Sequence, residues 1–497
     1  MSAPVLTAGV KDTVAEVGAR MEDASVGSVI VVDGDRPVGI LTERDMIRFA
    51  ASGASSSDAT VADWMTPDPD TVVPTAGVAE AYDLLSDKGY RHFPVVEDGA
   101  LVGVVSLRDL LSVASIQPVT DPGQIEAPPG LEGVIVAETT VGDVRGLEGF
   151  YHYRQYSAVD LAANVSLEDA WYLLFEGELP SESERSAFVD EVRPVRTIPA
   201  PVLEVLPAIA RSSSSIMEGL RTAVSLLGAT SGMQPTLDIS HDQRRADALR
   251  ICAAVPTLIM AMYRLRNGDE PIEPRDDLGY GANYLWMMDG REHDPDIGRA
   301  VEQYQMTTID HGFNASTFTA RVICSTGADV GAAVAGGIGA LSGPLHGGAP
   351  SRALDLLDAI GSEDNARPYL VDAVNNGEKI MGFGHRVYKT DDPRSTFLRG
   401  VAERIQADKI DFAKVVEQTV VDVLAELKPG RNLYANVEFY AGVVMDHCGL
   451  PRDLFTPTFA SSRVIGWCAN ILEQAADNRI IRPSARYVGP PPPQPLP

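Results

Sequence analysis

Two hydrophobic rhythms divide the chain. In the first 114 residues, short β-branched runs alternate with turns: VGSVIVVD (26–33) leads through DGDRP (33–37) into VGILTERDMIRFAA (38–51). Sixty-four positions on, YRHFPVVEDGALVGVVSLRDLLSVA (90–114) repeats the plan. Each copy reads strand, turn, strand, helix, with Asp-Gly at the turn and Thr42 or Ser106 opening the helix. From Leu131 onward the period lengthens to that of helices. FAKVVEQTVVDVLAELK (412–428) places Phe412, Val416, Val420, Val423 and Leu427 on one stripe and predicts a helix that ends before Pro429.

Between the two regions, QPVTDPGQIEAPPG (117–130) has the proline, glycine and small polar residues of an extended spacer. The stretch Gly327–Gly339, rich in glycine and alanine, predicts a helix that another backbone approaches closely and that faces a second subunit. The terminal GPPPPQPLP (489–497) is expected to be an exposed, polyproline-like end.

A length of 497 residues exceeds one ordinary core and predicts two or three domains. Apolar residues make up 45% and charged residues 22%, as in soluble globular proteins, and the longest apolar run, Ile251–Met262, is too short to cross a bilayer. No membrane span is therefore expected, and the start MSAPVLTAGVKDTV lacks a secretory pattern, which makes the cytoplasm the default address. The four cysteines (Cys252, Cys324, Cys448, Cys468) form no metal spacing and read as buried thiols. A net charge of -28 argues against nucleic acid as a partner. It also makes basic residues inside glycine-rich strings more telling.

Several such strings occur in order: DHGFNAS around His311, GPLHGG around His346, GFGHRVYK around His385, DPR around Arg394, NVEFYAGVV around Glu438, SSRVIGW around Arg463 and IRPSARYVG around Arg482. Each alone is weak, since glycines bracket many turns. Together they suit chemistry in which a carbonyl is polarised twice beside a carboxylate. The other histidines, His92, His152, His241, His293 and His447, read as ordinary satisfied polar groups.

This series resembles the citrate synthase family, from GLEGVIVAETTVGDV (130–144) almost to the C-terminus, and the front repeat resembles a pair of CBS domains. The resemblance implies a multidomain chain: an α/β CBS pair (repeats about 5–58 and 59–116), a linker (117–130), a mainly all-α catalytic fold with large and small domains (131–488), and the proline-rich tail. The implied activity joins acetyl-CoA, or a close acyl-CoA, to oxaloacetate and hydrolyses the thioester. His346 matches the donor to the thioester oxygen, His385 the acid for the ketone, Glu438 the base, and His311 a further contact to the oxo acid. Arg394, Arg463 and Arg482 match carboxylate-binding arginines, the last reaching across an obligatory homodimer. Lys389 matches a CoA phosphate contact, with the backbone at Gly382 and Gly384 near the adenine. No metal or redox cofactor is implied.

At the front, Asp45 and Asp109 follow Thr42 and Ser106 by three positions. The carboxylates suit the ribose hydroxyls of ATP, ADP or AMP, with Arg44, Arg91 or Arg108 near phosphate. Equally, these residues suit helix caps. CBS pairing would also allow assembly beyond the dimer.

The chain departs from the family pattern at the base, where NVEFY replaces NVDFY, and nearby at Gly312, Pro350 and Gln155. One added methylene moves a carboxylate by roughly 1 Å, enough to cost on the order of a hundredfold in rate. Three readings follow. The site has been retuned for acetyl-CoA, it takes propionyl-CoA to give 2-methylcitrate, or the chain is a nucleotide-binding regulator with a weakened synthase body.

Overall fold

The structure, a computed structural model, describes residues 5–24, 26–55, 58–77, 92–106, 125–347, 350–385, 387–388, 390–428, 433–490 and 492. It divides into two compact units, residues 1–134 with 483–497, and residues 135–482.

In the first unit, β1 (Thr7–Gly9) and α1 (Val14–Asp23) precede the hairpin β2 (Ser28–Asp33) and β3 (Arg36–Thr42), then α2 (Glu43–Ser52) and the short β4 (Thr66–Pro67). β1 pairs parallel to β2, and β2, β3 and β4 continue antiparallel. The second repeat supplies β5 (His92–Glu97) and β6 (Ala100–Ser106). The two hairpins share one register: Ser28 faces Thr42 as His92 faces Ser106, and the pairing slips between Val31 and Val32 as it does between Val95 and Val96. A bulge repeated at the same point shows that the sequence repeat is a structural one. Val29, Val31 and Leu41 of the first copy, and Phe93, Val95 and Val105 of the second, fill the interior positions that the alternation predicts. The tail returns to this unit, where Arg486 pairs with Glu126 at 3.2 Å.

The second unit opens with an antiparallel meander, β7 (Gly142–Arg145), β8 (Phe150–Tyr153) and β9 (Tyr156–Ser157). Helices follow: α3 (Ala158–Asn164), α4 (Leu167–Glu176), α5 (Glu182–Val192), α6 (Ala200–Ser212), α7 (Ile216–Thr230) and α8 (His241–Asn267). Next come α9 (Tyr280–Asp289), α10 (Pro295–Thr308), α11 (Ala315–Ser325), α12 (Val330–Leu341) and α13 (Pro350–Ile360). The last are α14 (Glu363–Asn375), α15 (Pro393–Arg404), α16 (Ile410–Leu427), α17 (Val437–His447) and α18 (Phe455–Ala476). The chain is thus α/β at the front and mainly helical thereafter. α16 runs as its stripe predicts, with Val416, Val420 and Val423 inward, and it stops ahead of Pro429.

α8 and α18 pack on each other at the centre, and α18 and the Ile251–Met262 stretch of α8 are buried nearly all round, as befits helices enclosed on every side. Here the expectation drawn from the run Ile251–Met262 needs adjusting. The full helix is 27 residues and apolar enough to cross a membrane, yet 78% of its apolar window is buried within the protein. It is a core helix. The four cysteines are buried thiols, with Cys252 on α8 and Cys468 on α18.

Glycine sets the closest approaches. Gly337 of α12 lies under the Trp467 indole, whose nearest atom would be 3.0 Å from an added Cβ. The small residues of α12 therefore serve contacts with α7, α11 and α18 in the same chain. Gly466 of α18 abuts the Ile309 carbonyl, and a Cβ there would overlap it and come within 3.2 Å of Asp310. We predict that Gly466→Ala destabilises the main unit by about 1–3 kcal/mol, the usual cost of overpacking. An unchanged urea midpoint would contradict this packing.

Candidate functional site

Three of the strings identified in the sequence end a loop and begin a helix. Asn314 caps α11, its Oδ1 accepting from the Ser316 and Thr317 N–H groups at 3.1 and 3.0 Å, which fixes His311 three residues earlier. Asp392 caps α15 through the Arg394 N–H at 3.0 Å. Asn436 caps α17 through the Glu438 N–H at 3.1 Å. His311, Arg394 and Glu438 thus stand at positive helix ends, which favour anions.

Asp392 does more than cap. Its buried carboxylate accepts from Arg394 Nε at 3.0 Å and Nη2 at 2.8 Å, and from the backbone N–H of Val437 at 3.1 Å. One side chain therefore ties the arginine to the start of α17. Burial alone would lower the Arg394 pKa, but the Asp392 charge and hydrogen bonds outweigh it and raise it. Arg394 also lies 6.0 Å from the Tyr151 ring and 5.8 Å from the Tyr388 ring. Arg463, equally buried, donates from Nε to the Thr308 carbonyl at 2.8 Å, with its guanidinium 4.7 Å from the Phe459 ring.

The histidines gather around these cations. His311 and His385 rings stand 5.5 Å apart, and His311 Nε2 is 3.0 Å from the Tyr388 hydroxyl. Burial, then Arg394, keeps His311 well below the ordinary imidazole pKa. His385 Nδ1 accepts from the N–H groups of Val387 and Tyr388 at 3.0 and 3.1 Å, so its proton is on Nε2. That Nε2 lies 3.3 Å from Arg394 Nη2. Two donors at this separation suit one shared oxygen acceptor.

His346 is turned the other way. Its Nε2 accepts from the Ser316 N–H at 3.3 Å and lies 2.8 Å from the Ser316 hydroxyl, so the neutral ring carries its proton on Nδ1. Burial and then the Arg463 charge push its pKa down to about 4. It is a neutral donor across the physiological range.

Glu438 is the counterpart. Burial raises its pKa to about 8 although Arg394 and Arg463 oppose the shift. Its Oε2 is buried without a hydrogen-bond partner among the described residues.

Other expected residues fall outside this cluster. Arg482 is exposed and joins none of these contacts. Gly382 and Gly384 have positive φ (84° and 86°) and bond to the strand-like segment before α17: the Gly382 carbonyl accepts from Asn436 N–H at 2.9 Å, and Gly384 N–H donates to the Tyr434 carbonyl at 2.8 Å. Their conformation alone requires glycine. Lys389, and in the front unit Arg91, Arg108 and Asp109, lie outside the described residues. Thr42 donates to Asp45 Oδ2 from its N–H at 2.9 Å and from its hydroxyl at 2.8 Å, while Arg48 meets Oδ1 at 3.2 Å, so the capping arrangement is present. Ser106 ends β6 at the equivalent point.

The nearby departures have local roles. Gly312 has φ 58° and donates its N–H to Asp310 Oδ2 at 3.1 Å. Gln155 ties the meander to α4 through the Gly177 carbonyl and Glu178. Pro350 opens α13.

Sequence reasoning passed over Asp392, Tyr388 and Ser316, although each stood inside a quoted string. It also passed over Asp310, whose pKa burial raises to about 6, and Tyr151 and Tyr153, whose hydroxyls donate to the Thr307 and Met306 carbonyls. Only the alternation of FYHY marked those two tyrosines.

Comparison with known proteins gives a consistent picture. Residues 130–484 match the family model described as citrate synthase, C-terminal domain, and residues 1–52 and 61–116 match the CBS domain. The chain is 37% identical over 367 residues to a citrate synthase of Synechocystis sp., covering 72% of this chain and 90% of that one. It is 38% identical to citrate synthase 2 of Bacillus subtilis, covering 73% and 95%. Among solved structures it is similar to citrate synthase from Thermotoga maritima (TM-score 0.65, 34% identity, 74% of this chain and 98% of that one). It is also similar to the Thermoplasma acidophilum enzyme solved with carboxymethyl coenzyme A and oxaloacetate (TM-score 0.68, 30% identity, 74% and 97%).

The Asp392 junction generates a prediction. Asp392→Ala leaves a buried guanidinium unpaired and should cost about 3–5 kcal/mol, whereas Asp143→Ala, at an exposed pair with Arg145, should cost less than about 1 kcal/mol. Urea unfolding monitored by far-UV circular dichroism checks both, and equal costs would contradict the reading.

Proposed function

Because the chain belongs to the citrate synthase family and is an acyltransferase of that type, carrying a CBS domain pair in front, we propose that it condenses acetyl-CoA, or a close acyl-CoA, with oxaloacetate through Glu438, His346 and His385. Glu438 takes a proton from the carbon beside the thioester, and the electron pair moves onto the thioester oxygen, held by His346 Nδ1–H. That carbon forms a bond to the ketone carbon of the oxo acid, whose oxygen takes the proton from His385 Nε2. Water then hydrolyses the thioester and releases the CoA thiol. Arg394, Arg463 and His311 hold the oxo acid, Arg482 completes the clamp across a homodimer, and Lys389 with the turn at Gly382 and Gly384 receives CoA.

The observation that carries this reading is the opposed placement of two neutral imidazole donors beside a buried carboxyl and two buried guanidiniums. It supplies a base and two separate oxygen donors, which enolisation and carbonyl attack require. The gathering of His311, His385, Arg394, Arg463 and a buried carboxyl at the base position favours a working site over a body that has lost turnover. Propionyl-CoA in place of acetyl-CoA changes discrimination by only about 1–3 kcal/mol per methylene, so competing the two thioesters in one assay decides the donor.

Thiol release with acetyl-CoA and oxaloacetate tests the base. Glu438→Gln should abolish it, and turnover at the wild-type rate would remove Glu438 from the mechanism. The pH dependence has a definite sign. A folded pKa raised to about 8 means that the ionised base is lost as pH falls through that value. kcat/KM, which reports the free enzyme, should therefore fall about tenfold per unit below it. His346, at about 4, adds no limb in this range.

In the front unit, the finer proposal is that the CBS pair binds ATP, ADP or AMP and biases activity, with Thr42, Asp45 and Ser106 at the ribose and Asp109 and Arg91 completing the site. Differential affinity for active and inactive states would provide the coupling. Calorimetry on the full chain should show heat on adding AMP or ATP. Asp45→Asn, which retains a cap acceptor but loses the paired acceptors for a diol, should reduce affinity at least about tenfold; unaltered affinity would leave Asp45 a cap alone.

A further inference from the structure

We infer that Tyr304 is a positioning residue for Glu438: in the substrate-bound state its hydroxyl donates a hydrogen bond to Glu438 Oε2 and holds the carboxylate ionised. This rests on Glu438 being the base. It adds a residue that no sequence string marks.

Tyr304 lies on α10, fully buried, and its hydroxyl has no hydrogen-bond partner among the described residues. Among the described residues, Glu438 Oε2 on the first turn of α17 is likewise partnerless, as is Ser395 Oγ beside Arg394 on α15. α10 and α17 pack against each other. Arg394 and Arg463 act on both groups, and among charged neighbours Glu438 acts most strongly on Tyr304. Two buried orphans on adjoining helices are costly apart, and a donor with an acceptor removes both costs. Glutamate has one more rotatable bond than aspartate, so Oε2 can swing toward α10 without moving α17.

A phenolic donor favours the charged form of a carboxyl group. Without it, a carboxyl near pKa 8 is ionised to only roughly one part in ten at pH 7. The free enzyme therefore keeps its base mostly protonated, and substrate binding, by closing Tyr304 onto it, exposes the ionised form when needed.

The other charges around Glu438 are accounted for. Arg394 and Asp392 face it from α15 and its cap, and Arg463 from α18. On α16, Glu417 is bonded to Tyr440 and Arg399. On α13, Asp358 pairs with Lys409 and Arg452, and Lys409 also holds Asp446 of α17. Tyr304 and Ser395 are the neutral donors left in the set, and Tyr304 is the one on which Glu438 acts most strongly among charged neighbours.

The test compares two pH profiles of the full-length enzyme. kcat reports the complex and kcat/KM the free enzyme, so the wild-type acid limb of kcat should lie at least about one unit below that of kcat/KM. Tyr304→Phe should raise the kcat limb to meet the other. It should lower kcat about tenfold at pH 7, the factor that one pKa unit represents, and leave KM for oxaloacetate within about twofold. Thermal unfolding confirms that the variant is folded. If it is not, 3-fluorotyrosine at position 304, a stronger donor, should instead lower the kcat limb. Coincident wild-type limbs, or a kcat limb indifferent to either change, overturn the proposal while leaving Glu438 as base, provided Glu438→Gln is inactive. An active Glu438→Gln overturns both.

Discussion

The Asp392 carboxylate is the junction on which the candidate site depends, because it joins Arg394 to the helix that carries the candidate base. It accepts from Arg394 at three nitrogens and from Val437 N–H, all out of water. A buried guanidinium is tolerable only when so held, and the helix start gains a fixed orientation from the same atoms. In a chain of net charge -28, this is how positive charge is kept at one place: two arginines enclosed by protein, beside three helix N-termini, with their counter-charges built in. The surface field then has little influence on the interior.

The protonation states follow from a contest between burial and nearby charge, and contact decides it. Arg394 hydrogen-bonds its carboxylate directly, and the Asp392 interaction overrides burial. Glu438 feels Arg394 and Arg463, and Asp310 feels Arg463, without a direct bond to them, and burial wins, giving about 8 and about 6. The His311 and His346 imidazoles experience burial and positive charge in the same direction and stay neutral. Backbone donors then choose the tautomers: Ser316 N–H claims Nε2 of His346, whereas Val387 and Tyr388 N–H claim Nδ1 of His385. Opposed tautomers give two donors pointing from two loops. This is the difference that separates a thioester contact from a ketone acid on the proposed reading.

Much of this was legible before any coordinates. Glycine-bracketed histidines and the front repeat with its Asp-Gly turns are local features, and local chemistry fixes them; the caps Asn314, Asp392 and Asn436 lay unread inside or beside the same strings. What could not be read depends on packing across the fold. Tyr304 occupies an ordinary apolar position in α10, and Tyr151 an ordinary strand position; only the third dimension brings them to Arg394 and Glu438. The run Ile251–Met262 looked merely apolar, and its length as part of α8 emerged once its polar first turns proved helical. The glycines at 382 and 384 carried a double reading, and the structure supplies the conformational half of it.

The same geometry refines how the oxo acid is held on the proposed reading. The arginines do not offer equal forks, because Arg394 has already given Nε and one Nη2 hydrogen to Asp392. Its outward donors are Nη1 and the remaining Nη2 hydrogen, the latter beside His385 Nε2. Arg463 spends Nε on the Thr308 carbonyl, which leaves its two terminal nitrogens side by side for a carboxylate. The two arginines therefore differ in kind. Arg463 offers the symmetric fork that fixes a carboxylate plane, whereas Arg394 shares its donor with the ketone acid and so places the carbonyl next to it. An acid whose carboxylate adjoins its ketone matches that pairing, because one oxygen of each then lies between Arg394 and His385.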